Sequence, residues 1–371
     1  MPASEFRLWL DGAPADADRL GRCGEVRVDQ AIGMATQAEV DIPLQLDDDG
    51  RWSSLTEDWA QAFRRVRVEV KVGDGEFVAL VDGPIVSQRF ELTAEPGTSR
   101  MVLIAQDDSV LLDREEKVAL FEDMADSDIA SRLISEPGLT PEVDSTPSAG
   151  SALQRVVVQR GSNMQLLREL ARRHGMFAYV KPGPTAGTSI GVFKRPQLAA
   201  GELPEILLLG PTRNAGRFDA TFDALRPLRA TAGSVTLSDR TAQTSSATSA
   251  TLAAMQGDAA HDVVDTPATT LLARTREEST DLDAATEAAV NISSWAWSAT
   301  VDLDADTYPA VVRAYDVVRV AGAGGQLSGD WLVSRASHVI SDAAFRTRLG
   351  LRRNARSSGS GAGGGIPGGI L

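Results

Sequence analysis

Residues 156–180 read "VVVQRGSNMQLLRELARRHGMFAYV": a β-like run, a helix, and a strand entered directly through a glycine. Ser162 and Gln165 have the S-x-x-Q spacing of a capping box, in which hydroxyl and amide satisfy backbone N–H groups orphaned at a helix start. Leu166, Leu167, Leu170, Ala171 and His174 share one face at the helical period, while Gln165, Arg168, Glu169, Arg172 and Arg173 share the other. Arg172 and Arg173 suit the negative end of the helix dipole. Gly175 is the residue type that takes the left-handed conformation ending a helix, and Met176–Val180 reads as the strand that follows.

Outward from this unit the texture is β. Residues 1–110 alternate into turns: "EFRLWLDG", "GEVRVDQAIG" and "QAEVDIPLQLDDDGRW" precede "RRVRVEVKVGDGEFVALVDGPIVSQRFEL". Val66, Val68, Val70 and Val72 fall on one face there, with Arg65, Arg67, Glu69 and Lys71 on the other and Gly73-Asp74-Gly75 as a hairpin turn. Such short antiparallel strands predict a small barrel or sandwich. Residues 111–200 are a mixed α/β insert, with a short helix over "SDIASRLISEPG" capped by Asp126 or Ser127 and ended by Pro137-Gly138. Residues 201–354 return to β, interrupted by the Ala/Thr/Ser-rich stretch Thr241–Ala254 and a helical segment over 284–297. Residues 355–371 form a Gly-rich flexible tail whose Ile366, Ile370 and Leu371 suggest docking rather than a passive linker.

Composition narrows the function classes. Hydrophobic content of 43% with only 5% aromatic predicts a globular chain with an aliphatic core, and 371 residues hold roughly two to three domains. A net charge of −14 and a pI near 4.8 repel a phosphate backbone, so sequence-specific nucleic-acid binding is not expected. A lone Cys23 leaves no disulfide framework and no thiolate metal cluster. No secretory leader opens the chain, and no apolar run approaches the roughly 20 residues of a membrane helix. Synthesis in the bacterial cytoplasm follows as the expectation.

No catalytic constellation emerges, and no cofactor or metal site. Gly187-Thr188-Ser189-Ile190-Gly191 satisfies G-x-S-x-G, but a nucleophile elbow requires a strand-to-helix turn, and this segment leads into a strand. Asp302, Asp304 and Asp306 imitate half a calcium loop, yet Thr307 and Arg313 stand where glycine and a carboxylate are needed. Spacing of two places those carboxylates on one solvent face of a strand. His174, His261 and His338 are at no ligand spacing, and Glu115-Glu116 reads as a solvated pair.

Three pieces together resemble a known family. The first is the opening stretch. The second is Tyr315–Asn354, "YDVVRVAGAGGQLSGDWLVSRASHVISDAAFRTRLGLRRN", with Asp316, Val318, Gly329, Trp331, Val333, His338 and Thr347 in matching places. The third is the order β-domain, α/β insert, β-domain. The chain resembles, over roughly residues 1–354, the baseplate hub proteins of contractile phage tails and injection systems: late control protein D, VgrG and the Pvc-type hubs. Arg313-Ala314-Tyr315-Asp316 departs from the family's usual Pro-x-Gly-Asp turn.

The resemblance implies a mainly β fold with an α/β insert and two tail-tube-like antiparallel β-barrels. It implies a homotrimeric, non-enzymatic structural adaptor whose duplicated barrels let three chains imitate a hexameric ring. Inner tube or tube-initiator protein, a separate spike polypeptide and baseplate wedge proteins are the implied partners, with effector or DNA passing through the lumen. The protein would be a component of a phage tail or contractile injection particle. A tail-associated cell-wall-degrading enzyme and a carbohydrate-binding adhesin are the competing readings.

Overall fold

The computed structural model describes residues 4–46, 48–52, 55, 57–95, 97–147, 156–235, 240–272, 279–341 and 344–357. A single thirteen-stranded sheet dominates them. Its path runs through Ala215–Phe222, Trp297–Asp304, Phe345–Arg353 and Gly329–Ile340. It continues through Val26–Ala31, Gln37–Pro43, Arg100–Gln106, Val78–Glu91, Arg65–Val72, Ser4–Leu10 and Ala13–Pro14. Val317–Ala321 branches from Gly329–Ile340 and pairs in parallel with Ile206–Leu207.

The fold is mainly β with an α/β insert, and its antiparallel sheet curls into two half-barrels, each closing on its own apolar core. The first core gathers Val26, Val28, Ile42, Val66, Val68 and Leu80; the second gathers Val301, Val318, Trp331, Val333 and Leu349. The predicted alternation of Val66, Val68, Val70 and Val72 is therefore the inner face of a curled sheet. The two halves are joined rather than separate, because Arg335–Ile340 pairs with Val26–Ala31 and carries hydrogen bonding across the boundary.

Curvature has local causes. β-Bulges between Val68 and Glu69, between Ile85 and Ser87, and between Val333 and Arg335 add twist to the strands that turn corners. Val78–Glu91 serves two neighbours: it pairs with Arg65–Val72 as far as Pro84, then with Arg100–Gln106 from Ile85. At the corner a Cβ on Gly83 would lie 1.8 Å from the carbonyl oxygen of Gln106, so only glycine lets the strands approach.

The insert has a core of its own, with Ile129, Leu133, Leu167, Leu170 and Phe193 buried between helices Asp126–Ser135 and Asn163–Arg173 and the strand pair Phe177–Pro182 and Ser189–Lys194. The capping box forms, with the Gln165 backbone N–H donating to Ser162 Oγ and the Ser162 backbone N–H donating to Gln165 Oε1. Gly175 takes φ +61° and ends the helix. The shorter helix begins differently from the expectation. Ala125 occupies its cap position, and Asp126 lies inside the helix, buried, with its carboxylate 2.7 Å from His174 Nε2 and 3.4 Å from Arg173 Nη1. That pairing joins the start of one helix to the end of the other.

A second layer lies within 201–354. Leu228–Val235, flanked by Ala242–Ala247 and Ala268–Leu271, forms a three-stranded sheet. The Ala/Thr/Ser-rich stretch thus contributes a strand instead of an interruption. The helix there spans Ser279–Ser293 rather than running to 297, because Trp297 opens a strand paired with Arg353. No helix among the described residues is long and apolar enough to cross a membrane. Ile366, Ile370 and Leu371 of the tail lie outside the described residues.

Candidate functional site

The residues weighed in the sequence fall in separate places. Ser189 opens a strand, is buried, and donates its hydroxyl to Asp108 Oδ2 at 2.8 Å. A carboxylate accepting from this buried hydroxyl holds it in place, and Ser189 stands in a hairpin rather than at an elbow. His174 faces Asp126, His261 Nε2 lies 3.0 Å from the Leu228 carbonyl, and His338 Nδ1 lies 2.9 Å from Thr347 Oγ1. Burial pushes His338 down to about 3, so it is neutral at ordinary pH, and its ring stacks on Phe345. Asp302 and Asp304 pair across the strand with Arg348 and Arg346, while Glu115 and Glu116 are exposed. Cys23 is buried, which pushes its thiol up to about 11. Among the described residues no group of three or more His, Cys, Asp or Glu could hold a metal ion.

What the structure does assemble is a junction. Arg67 and Glu69, on the face opposite the valines, are buried with Asp82. The reason is tertiary: the turn between Phe177–Pro182 and Ser189–Lys194 sits on that face. Arg67 Nη1 donates to Asp82 Oδ2 at 3.1 Å and to the Gly183 carbonyl at 2.9 Å, and Arg67 Nε donates to Glu69 Oε1 at 2.7 Å. Arg65 forks onto Asp82 and Asp108, with Nη2 2.8 Å from Asp82 Oδ1 and Nη1 2.9 Å from Asp108 Oδ1. The Gly187 N–H donates to Asp82 Oδ2 at 2.8 Å, and Trp9 Nε1 donates to Glu69 Oε2 at 2.9 Å. Each buried charge is thus paired and hydrogen-bonded, the condition under which such groups are tolerated. The network ties the insert to the first half-barrel.

An aromatic wedge ties in the second. Tyr315, in the altered turn, holds φ +73°, where a family glycine would be unstrained. Its ring stacks on Tyr179 at 3.6 Å between centroids and meets Phe177 edge-on at 5.3 Å. The Gly33 N–H donates to its hydroxyl at 3.0 Å, and the Ala314 N–H donates to Gln30 Oε1 at 3.1 Å. Tyr315 therefore touches the insert and the first half-barrel from a loop of the second. Burial raises the hydroxyls of Tyr315 and Tyr179, the latter to about 12, and raises the Asp316 carboxyl.

Among the described residues a ribbon of the insert exposes an apolar face. Lys117–Glu122 and Val156–Gly161 make a two-stranded ribbon whose inner face, with Phe121 and Val157, packs on the insert core. Its outer face carries Val118, Leu120, Val156 and Val158, exposed by 78%, 61%, 39% and 43%. Four apolar side chains alternating on one face of an otherwise covered ribbon mark a contact surface.

Comparisons with known proteins bear on this geometry. A family model described as the Alg8 N-terminal domain matches residues 65–342. No curated protein matches the sequence. Among solved structures, the chain is similar to a 43 kDa tail protein of prophage MuSo2 from Shewanella oneidensis. That likeness has a TM-score of 0.66 at 13% identity over 96% of this chain and 100% of that one. A tail protein from Neisseria meningitidis MC58 gives 0.62 at 14% identity over 95% and 97%. An Escherichia coli component of the type VI secretion system gives 0.53 at 7% identity over 95% and 76%; that protein is described as structurally similar to T4 tail proteins gp27 and gp5. At these identities the likeness is one of fold.

Proposed function

The chain belongs to the family described as the Alg8 N-terminal domain, and we propose that this member is the structural hub of a phage tail or related injection particle. In this reading it is a homotrimeric adaptor between a hexameric inner tube and a trimeric central spike carried on a separate polypeptide. The observation that supports it is the single continuous sheet with two curled halves, each around its own core. Three such chains supply six half-barrels, a pseudo-sixfold collar for a sixfold tube on one side and threefold symmetry for a spike on the other.

The junction suits the mechanical side of this role. Residues 1–110 and 201–354 act as the two tube-like units, 111–200 as the insert between them, and 355–371 as a tail. A hub that transmits load must hold these at fixed angles, and the Arg65–Arg67–Asp82–Asp108 cluster and the Tyr315 wedge are the contacts that would do so. The exposed ribbon is the surface where a neighbouring subunit or wedge protein docks. The role is structural rather than catalytic, and the protein is made in the bacterial cytoplasm before assembly.

Co-expression with the tube and spike proteins encoded beside it tests the reading. A complex with three hub chains per six-membered tube ring supports it; failure of both partners to co-purify, with the chain monomeric, overturns it.

A further inference from the structure

Two clefts flank the Tyr315 wedge, and their charges differ. In the cleft of about 200 Å³ beside Tyr179, acidic residues accompany the cations: Lys181 and Lys194 both close on Glu142, and Arg313 lies beside Asp316. The other cleft, of about 270 Å³, is lined by Arg168, Arg172, Arg226 and Arg352 and by no acidic residue. None of these four has a carboxylate partner among the described residues, although arginines on the sheet faces pair across strands, as Arg335 does with Asp29 and Arg348 with Asp302. Arg168 Nε is buried and has no hydrogen-bond partner. Burial and the charge of Arg226 push Arg352 down, so the guanidinium groups oppose one another.

Four arginines without carboxylate partners make this cleft a positive patch on a chain of net charge −14, complementary to an anion. The helices Asn163–Arg173 and Ser279–Ser293 both present their carboxyl-terminal ends here. Their partial charges, about half a unit each, offset roughly one of the four cations. Ends of that polarity attract neither phosphate nor carboxylate, so an anion in this cleft is held by the arginine forks alone. The remaining lining is apolar, with Ile32, Met176, Phe177, Trp295 and Leu332. An inorganic anion would leave that wall wet.

We infer that this cleft is a docking site for an acidic, apolar segment of a partner polypeptide, in which an Asp or Glu beside a Leu, Ile or Phe places its carboxylate on the arginines and its neighbour against Trp295 and Leu332. Arginine forks match carboxylates bidentately. The inference does not depend on the hub reading, since it rests on the cleft alone.

The test uses fluorescence anisotropy with the full chain and labelled peptides Asp-Leu-Glu-Leu-Asp and Asn-Leu-Gln-Leu-Asn, both blocked at their ends. Arg172 and Arg226 are exposed, so the R172Q/R226Q double variant removes charge without opening a core; its melting temperature serves as the folding control. The acidic peptide binds, the amide peptide binds at least tenfold more weakly, and R172Q/R226Q loses at least tenfold with an unchanged melting temperature. Equal binding of the two peptides, or binding indifferent to R172Q/R226Q, overturns the inference. So does saturation by inorganic phosphate or a nucleoside triphosphate where the acidic peptide fails to bind.

Discussion

Replacing Asp82 by alanine removes the shared acceptor of the buried junction. Its two oxygens accept from Arg65 Nε at 3.2 Å, Arg65 Nη2 at 2.8 Å, Arg67 Nη1 at 3.1 Å and the Gly187 N–H at 2.8 Å. Hydrogen bonds to charged groups contribute about 1.5–3 kcal/mol each. The sum overstates the loss, because Arg65 keeps Asp108 and Arg67 keeps Glu69 and the Gly183 carbonyl. Breaking a buried pair from one side costs about 3–5 kcal/mol, and D82A should fall in that range. Urea unfolding followed by tryptophan fluorescence gives the magnitude. Hydrogen exchange over 182–189 gives the location, since the Gly187 amide loses its acceptor. A double-mutant cycle with R67M should show coupling of at least about 1 kcal/mol. A loss below about 1 kcal/mol with exchange at Gly187 unchanged would refute the claim that this network holds the insert to the first half-barrel.

Other substitutions have equally definite outcomes. At Tyr315, glycine relieves the positive φ that alanine retains, so Y315A should be less stable than Y315G by about 1 kcal/mol, with both below the parent in thermal melting. G83A drives a Cβ into the Gln106 carbonyl and should abolish soluble folded protein or lower its melting point by many degrees. His338 has a folded pKa of about 3 against an ordinary value of 6.5, so its contribution is fully present above pH 6.5 and is lost as pH falls toward 3. Unfolding free energies from urea titrations between pH 7 and 5 should therefore fall by up to about 1.4 kcal/mol per pH unit from this group, and H338L should flatten the slope. L120E on the exposed ribbon should leave the monomer's stability within about 0.5 kcal/mol and weaken self-association or partner capture, read by sedimentation.

Local order was legible where local forces decide it. The Ser162 cap, the Gly175 stop and the inward valines of Arg65–Val72 each follow from groups within a few residues, and the structure holds all three. The burial of Arg67 and Glu69 was not legible, because period-two alternation separates faces without knowing what lies on them. The hairpin turn that buries them is 116 residues away along the chain. Continuity of the sheet depends likewise on Arg335–Ile340 meeting Val26–Ala31, a pairing between opposite ends of the sequence. The Tyr315 departure was visible as a broken turn pattern, but its meaning needed the φ angle and the Tyr179 ring. The arginine cleft had no sequence signal, since Arg168 and Arg172 on one helix, Arg352 on a strand and Arg226 in a loop are far apart along the chain.

The central claim is threefold assembly of a chain with two tube-like halves. Native mass spectrometry of the full chain, at concentrations approaching those inside an assembling particle, addresses it directly. A species near 118 kDa, three chains of 39.3 kDa, is the result expected, with no stable dimer. A monomer that persists at every concentration with tube protein present, or a stoichiometry of two or four, contradicts it.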